Sequence, residues 1–114
     1  MNLQFEVHID EPVITYALSG KITTDEDFKA LEAEVFKNLN QNYYRIVFDL
    51  ANLTHINSMG ISFFMRTLTK ARIMNGELIL AAIDGNVKKI FQIAKLDEVY
   101  TIYGTTELAI KHFK

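Results

Sequence analysis

The first twenty residues show the hydrophobic pattern of two paired strands. Every second residue from Leu3 to Ile9 is apolar and its neighbours are polar, which predicts a strand with one buried face. Two acidic residues and Pro12 then predict a turn, and residues 13–19 predict a second strand paired antiparallel with the first. Gly20 ends that strand. The chain is therefore expected to open with a β-hairpin.

Helical and strand patterns alternate after the hairpin. Thr24 and three acidic residues predict a helix start, since such residues cap the first turn and suit its dipole. Residues 46–50 and 78–83 are almost continuously apolar, as in central strands covered on both faces. Further helices are predicted from Ser58 to about residue 74, after the turn at 84–86 and after the cap at 105–107, with a short strand at 99–103.

The order β-β-α-β-α-β-α-β-α predicts the fold class. Alternating strands and helices favour parallel strands joined by right-handed crossovers. We therefore expect one α/β domain over residues 1–114, with a mixed, mostly parallel sheet opened by an antiparallel hairpin.

Composition and charge exclude several classes of function. The chain has 114 residues, of which 49% are hydrophobic, and a formal net charge of −2. No cluster of lysine and arginine is present, so neither nucleic acid nor an anionic membrane is an expected partner. There are no cysteines, and the apolar runs are too short to span a bilayer. We expect a cytoplasmic protein without a cofactor.

The stretch from residue 45 to residue 60 carries the most specific signal. It predicts a buried strand, a polar loop over residues 49–58 and a helix that opens with Asn57, Ser58 and Gly60. A serine at a helix N-terminus presents its hydroxyl where the helix dipole favours negative charge. Two interpretations follow. Asn57 or Ser58 caps the helix, or Ser58 is a regulatory phosphorylation site, and the two roles can coexist.

An ordered set of motifs covers nearly the whole chain. The segments are VFDLANL at 47–53, INSMGI at 56–61, GELIL at 76–80, VKKIF at 87–91 and TTELA at 105–109, with Leu96 before the last. In this order they resemble the STAS domain family, and specifically the bacterial anti-sigma factor antagonists.

The resemblance implies a non-enzymatic switch. In that family a serine is phosphorylated by a partner that is both anti-sigma factor and kinase, and a phosphatase reverses the modification. The unmodified form binds the partner, whereas the phosphorylated form does not. Ser58 occupies the acceptor position here. The sequence departs from the family pattern at Asn57, usually Asp, at Met59, usually a small residue, and at Lys95, often Gly.

The helix after Ser58 also predicts a contact surface. At about 100° per residue, apolar and cationic residues fall together on the side opposite the predicted core. Such mixtures are enriched at interfaces, although Phe63 and Met74 could instead lean on neighbouring helices. The predicted partner-binding residues are Asn57, Met59, Gly60, Phe63 and Arg66, with Asn57 and Gly60 shaping how Ser58 is presented.

Other functions are less well supported by the residues. Asp49, His55 and Ser58 are the residue types of a hydrolase triad, but they lie in one short segment, whereas triads converge from separate loops. We therefore expect a protein that is not an enzyme. Asp49 and Asp84 are both predicted to end strands and could share an acidic ligand pocket, but two carboxylates are too few to predict a metal site.

Two alternatives to the phosphorylation switch remain open. The first is a STAS subunit of a lipid-transport or stress-signalling complex, without phosphorylation. The second is a small-molecule or nucleotide-binding module that uses the pocket near Asp49 and Asp84.

Overall fold

The structure is a computed structural model and describes residues 2–114. Within these residues, strands and helices follow the predicted order, with one additional 3-10 turn over Leu96–Glu98. The strands are β1 (Leu3–Asp10), β2 (Val13–Lys21), β3 (Arg45–His55), β4 (Glu77–Ala81) and β5 (Ile102–Tyr103). The helices are α1 (Asp25–Leu39), α2 (Ser58–Ile73), α3 (Gly85–Ile93) and α4 (Thr106–His112).

The five strands form one mixed sheet in the order β1-β2-β3-β4-β5. β1 and β2 pair antiparallel, with Asp10 opposite Val13 across the hairpin turn, and all other pairs are parallel. The predicted α/β class and the antiparallel opening of the sheet are confirmed. β1 lies at one edge, where only one side of the strand is paired.

Helices cover the two faces of the sheet unequally. α1, α2 and α3 pack on one face over the main core, whose largest fully buried side chains include Tyr16, Phe48, Phe63, Phe64 and Phe91. α4 covers the other face only over a small cluster of buried side chains around Val47 and Ala109. The buried hydroxyl of Tyr16 accepts a hydrogen bond of 2.9 Å from Asn38 Nδ2.

Three strand boundaries differ from the prediction. β3 does not end at residue 50 but continues to His55, because it keeps pairing with β2 as far as Lys21, with two register shifts on the way. The predicted polar loop over residues 49–58 is therefore wrong, and only residues 56 and 57 separate β3 from α2. β4 ends before Ala82, whose left-handed φ of 58° turns the chain. β5 is shorter than predicted because the 3-10 turn precedes it.

Candidate functional site

Ser58 is the first residue of α2, directly beyond the end of β3. Ile56 anchors the connection, since its side chain is only 6% exposed and packs into the main core. Ser58 itself is exposed. None of the hydrogen bonds found within residues 2–114 uses its hydroxyl, so this oxygen is free to meet another molecule.

Asn57, not Ser58, caps α2. Its Oδ1 accepts a hydrogen bond of 3.1 Å from the Gly60 N–H, which satisfies one of the unpaired donors of the first turn. Its Nδ2 donates a hydrogen bond of 2.7 Å to the Thr23 carbonyl oxygen in the loop before α1. An aspartate could keep the cap but has no donor for Thr23. The departure from the family pattern at this position therefore has a structural role.

The loop before α1 is itself tightly hydrogen-bonded. The Asp27 carboxylate accepts hydrogen bonds from the backbone N–H groups of Thr23 (2.8 Å) and Thr24 (3.1 Å) and from the Thr23 hydroxyl. The bond from the Thr23 backbone is the largest cause that lowers the pKa of Asp27 below its usual value, since donors favour the charged form. Through Asn57, this loop holds the N-termini of α1 and α2 together.

Gly60 lets the start of α2 lie close to the core. A Cβ atom at this position would come within 2.8 Å of Ile22 Cγ2 and of Ile56 Cγ1. Gly60 is buried. Gly60 therefore offers a partner no exposed surface of its own. Its predicted role in presenting Ser58 would act through this packing and stays a prediction.

A surface groove of about 340 Å³ runs between the first turns of α1 and α2 beside Ser58. Met59 contributes an exposed apolar side chain, 43% accessible. Arg66 Nη2 binds Glu32 Oε2 at 2.6 Å across the two helices. We call this feature the serine groove, and its lining residues are Asp25, Phe28, Lys29, Glu32, Ser58, Met59, Ser62 and Arg66.

The prediction that Phe63 is a partner-binding residue is wrong. Its side chain is fully buried and stacks on Phe28 of α1, with ring centroids 4.9 Å apart and an interplanar angle of 7°. Met74 is also partly buried against the core. The cause is that α2 packs against both the sheet and α1, so its buried face is wider than packing on the sheet alone would require.

The acidic pair and the histidine do not form a site with Ser58. Asp49 lies within β3 and its carboxylate accepts a hydrogen bond from Ala51 N–H, so the prediction that it ends a strand is wrong. Asp84 lines a shallow depression with His55, and Asp49 is not part of its lining. The His55 ring contacts Thr54 Oγ1 at 3.0 Å. Within residues 2–114, no cluster of three or more potential metal ligands is found.

Sequence reasoning missed the contribution of α1 to the serine groove. Asp25, Lys29 and Glu32 lie one turn apart on α1 and face α2, and Ser62 completes the opposite wall. Of these three residues, the sequence pattern identified only Asp25, as part of a helix start. Their spacing of three to four residues did place them on one face, but only the packing of α1 on α2 shows which face.

The chain matches a known protein family over most of its length. The family model described as the STAS domain matches residues 4–109. Within residues 2–114, no helix combines the length and the apolar character that crossing a bilayer requires.

Two proteins resemble this chain over most of their own lengths. BtrV of Bordetella bronchiseptica, provisionally named an anti-sigma factor antagonist, is 26% identical over 93 residues, which cover 82% of this chain and 80% of BtrV. A crystal structure of TM1081 from Thermotoga maritima, provisionally described in the same way, has a TM-score of 0.83 at 23% identity and covers 95% of this chain and 92% of its own.

The anti-sigma factor antagonist SpoIIAA has been solved in two forms. Its unphosphorylated form has a TM-score of 0.84 at 19% identity, with 96% of both chains covered. Its phosphorylated form, from Bacillus, has a TM-score of 0.78 at 18% identity, with 97% of this chain and 100% of the other covered. At these identities the likeness shows a common fold.

Proposed function

Because this chain belongs to the STAS domain family, we propose that it is a partner-switching regulator of the anti-sigma factor antagonist type. In this proposal the serine groove binds an anti-sigma factor that is also a serine kinase. Phosphorylation of Ser58 by that partner ends the binding, and a phosphatase restores it. The observation that carries the proposal is the exposed hydroxyl of Ser58, left free because Asn57 caps the helix.

A phosphate on Ser58 would alter binding without unfolding the domain. It would add about 1.5 to 2 negative charges at the N-terminus of α2, where the dipole and unpaired N–H groups favour an anion. Phosphorylation of Ser58 is therefore not expected to unfold the domain. The existence of SpoIIAA in phosphorylated and unphosphorylated forms supports the same expectation.

The charges of the serine groove explain how the phosphate would act on a partner. Asp25 and Glu32 balance Lys29 and Arg66, so the unmodified groove has no net charge among these four side chains. Met59 gives it an apolar contact. A dianion placed there would have to be desolvated when the partner docks, and it would repel any acidic group that faces Arg66 or Lys29.

The first experiment measures the affinity for a candidate anti-sigma factor kinase by isothermal titration calorimetry. Ser58→Asp should weaken binding at least about tenfold, which corresponds to about 1.4 kcal/mol, whereas Ser58→Ala should bind like the wild type. Thr69→Asp is the matched control, because it adds the same charge at an exposed position of α2 that does not line the groove, and it should bind like the wild type. Equal affinities of Ser58→Asp and the wild type would refute the switch.

The second experiment follows phosphate transfer itself. After incubation with the kinase and ATP, intact-mass measurement should show one phosphate on the wild type and on Ser62→Ala. Ser58→Ala should remain unmodified. Transfer to Ser58→Ala would assign the acceptor to another residue.

A STAS subunit without phosphorylation is the second candidate, and the amide of Asn57 favours it. Its hydrogen bond to Thr23 holds the site together without the aspartate that the family usually carries. For this candidate, pull-down would recover the subunits of a larger assembly, no ATP-dependent mass change would occur, and Met59→Ala and Arg66→Ala would still weaken binding.

A further inference from the structure

β1 presents an apolar and unpaired edge of the sheet. Val7 is 36% exposed and Ile9 is 52% exposed, although both point to the same face as the buried Leu3. The helices on that face cover the beginning of β1 but not its end. Proteins usually protect such edges, because their free N–H and C=O groups can pair with another strand.

The pairing with β2 fixes which backbone groups of β1 are free. The Asn2 carbonyl accepts a hydrogen bond from Lys21 N–H, so the backbone groups of Asn2 point towards β2. Backbone direction alternates along a strand, and the even-numbered residues of β1 therefore pair with β2. The N–H and C=O groups of Phe5, Val7 and Ile9 point outwards.

The outward-pointing residues restrict how two copies of β1 could pair. In a symmetric antiparallel pair, the outward-pointing residues of one copy must lie opposite those of the other. The two-fold axis therefore has to pass midway between one residue and the same residue of the second copy, which we call an axis through that residue. Only axes through Glu6 or Val7 pair nearly the whole strand, over residues 3–9 or 4–10. An axis through Glu6 places two Glu6 carboxylates directly opposite each other, which is unfavourable.

An axis through Val7 gives complementary neighbours throughout. Val7 lies opposite Val7 of the second copy, Phe5 lies opposite Ile9, and Gln4 lies opposite Asp10. Glu6 lies opposite His8, twice, so each carboxylate meets an imidazole that can donate a hydrogen bond. Both side chains are exposed, Glu6 by 80% and His8 by 66%. Within one chain they contact each other at 3.6 Å, and the contacts between copies would add to or replace this exposed pair.

We propose that β1 is a self-association surface, through which two copies of this chain pair antiparallel about Val7 and join their sheets into one. The apolar pairs Val7–Val7 and Phe5–Ile9 would bury the exposed side chains of the edge. None of the residues that line the serine groove belongs to β1, so the proposal is independent of the proposed function.

The test is a charge exchange followed by sedimentation equilibrium from about 1 μM to about 1 mM. The wild type should show a dimer whose population rises with concentration. Glu6→Lys and His8→Glu should each weaken it about tenfold or more, since both create like or unmatched charges at the two symmetric pairs. The double variant should restore dimerisation to within about threefold of the wild type, because each introduced ammonium group would then face an introduced carboxylate across the strand pair.

Controls separate this interface from general charge effects. Glu98→Lys makes the same charge change at an exposed site outside β1 and should leave the dimer unchanged. Thermal melts should show that all variants fold, since residues 6 and 8 are exposed. The proposal would be overturned by a wild type that remains monomeric at about 1 mM. It would also be overturned if neither single variant lowered the dimer population, or if the double variant did not restore it.

Discussion

Lys95 adopts a backbone conformation that suits glycine. Its φ of 58° and ψ of 27° lie in the left-handed region, two residues after the end of α3. Side chains with a Cβ are strained there by roughly 1 kcal/mol, whereas glycine is not. The family resemblance predicted that glycine is common at this position, and the structure supplies the physical reason.

Lys95→Gly should therefore stabilise the protein. The side chain is exposed and its removal costs little, so the free energy of unfolding should rise by about 0.5–1 kcal/mol. Urea denaturation measures this change. Lys89→Gly is the matched control, because Lys89 is exposed in the interior of α3, where glycine should lower stability by about 1 kcal/mol. A destabilised Lys95→Gly variant would contradict the strain.

Single residues also show where sequence reasoning stopped. The capping of α2 was predicted as belonging to Asn57 or Ser58, and only the positions of Gly60 N–H and Thr23 O assign it to Asn57. The second hydrogen bond of Asn57 joins residues 34 positions apart in the chain. Local pattern carries no information about such a contact.

At the scale of elements, α2 shows the limit of helical periodicity. The pattern correctly predicted the helix and placed Phe64 and Leu68 in the core. It placed Phe63 on the outside, because a helical pattern of this kind assumes that the helix packs against the sheet alone. α1 provides a second surface, and the stack of Phe63 on Phe28 follows from it. The orientation of a helix towards a second helix depends on tertiary packing, which a single periodicity does not encode.

Close packing at the start of α2 leads to a prediction for Gly60. Gly60→Ala should lower the free energy of unfolding by about 1–3 kcal/mol, because the new methyl group would overlap Ile22 and Ile56. Gly104→Ala is the control, since a Cβ there meets nothing within 4 Å. Urea denaturation of both variants measures the difference. Equal stabilities would show that the helix start can move away from the core without cost.

At the scale of the whole molecule, the sequence predicted the order of elements because each segment carried its own local signal. Hydrophobic alternation identified the hairpin, and apolar runs identified β3 and β4. The end of β3 was predicted wrongly, since residues 51–55 are mostly polar or exposed and owe their strand geometry to pairing with β2. The wall that α1 adds to the serine groove likewise depends on contacts between distant segments.

Buried tyrosines make the stability of the whole domain sensitive to alkaline pH. Burial raises the pKa of the Tyr16 hydroxyl from 10.0 to about 12, and burial also raises the pKa of Tyr100. Between pH 10 and pH 12 the unfolded chain loses these protons while the folded chain keeps them. Stability is therefore fully present below pH 10 and falls as the pH rises towards 12, by about 2 kcal/mol for Tyr16 alone.

Urea denaturation at pH 8 and at several values between pH 10 and pH 12 tests this dependence. Tyr16→Phe should show a shallower fall than the wild type, although it is less stable at pH 8 because Asn38 loses an acceptor. Tyr100→Phe should also flatten the fall but keep its stability at pH 8, since within residues 2–114 its buried hydroxyl has no partner. Parallel curves for all three proteins would contradict the assignment.

The bridge from Asn57 to the Thr23 carbonyl makes two helix starts into one mechanical unit. A ligand that displaces the loop before α1 would either break this hydrogen bond or also displace the first turn of α2. The orientation of Ser58 would then change when the loop before α1 moves, although that loop does not contact the Ser58 hydroxyl. Asn57→Ser retains a capping oxygen but lacks the amide that binds the Thr23 carbonyl. Ser58 should keep its position in this variant, but that position would no longer depend on the loop before α1.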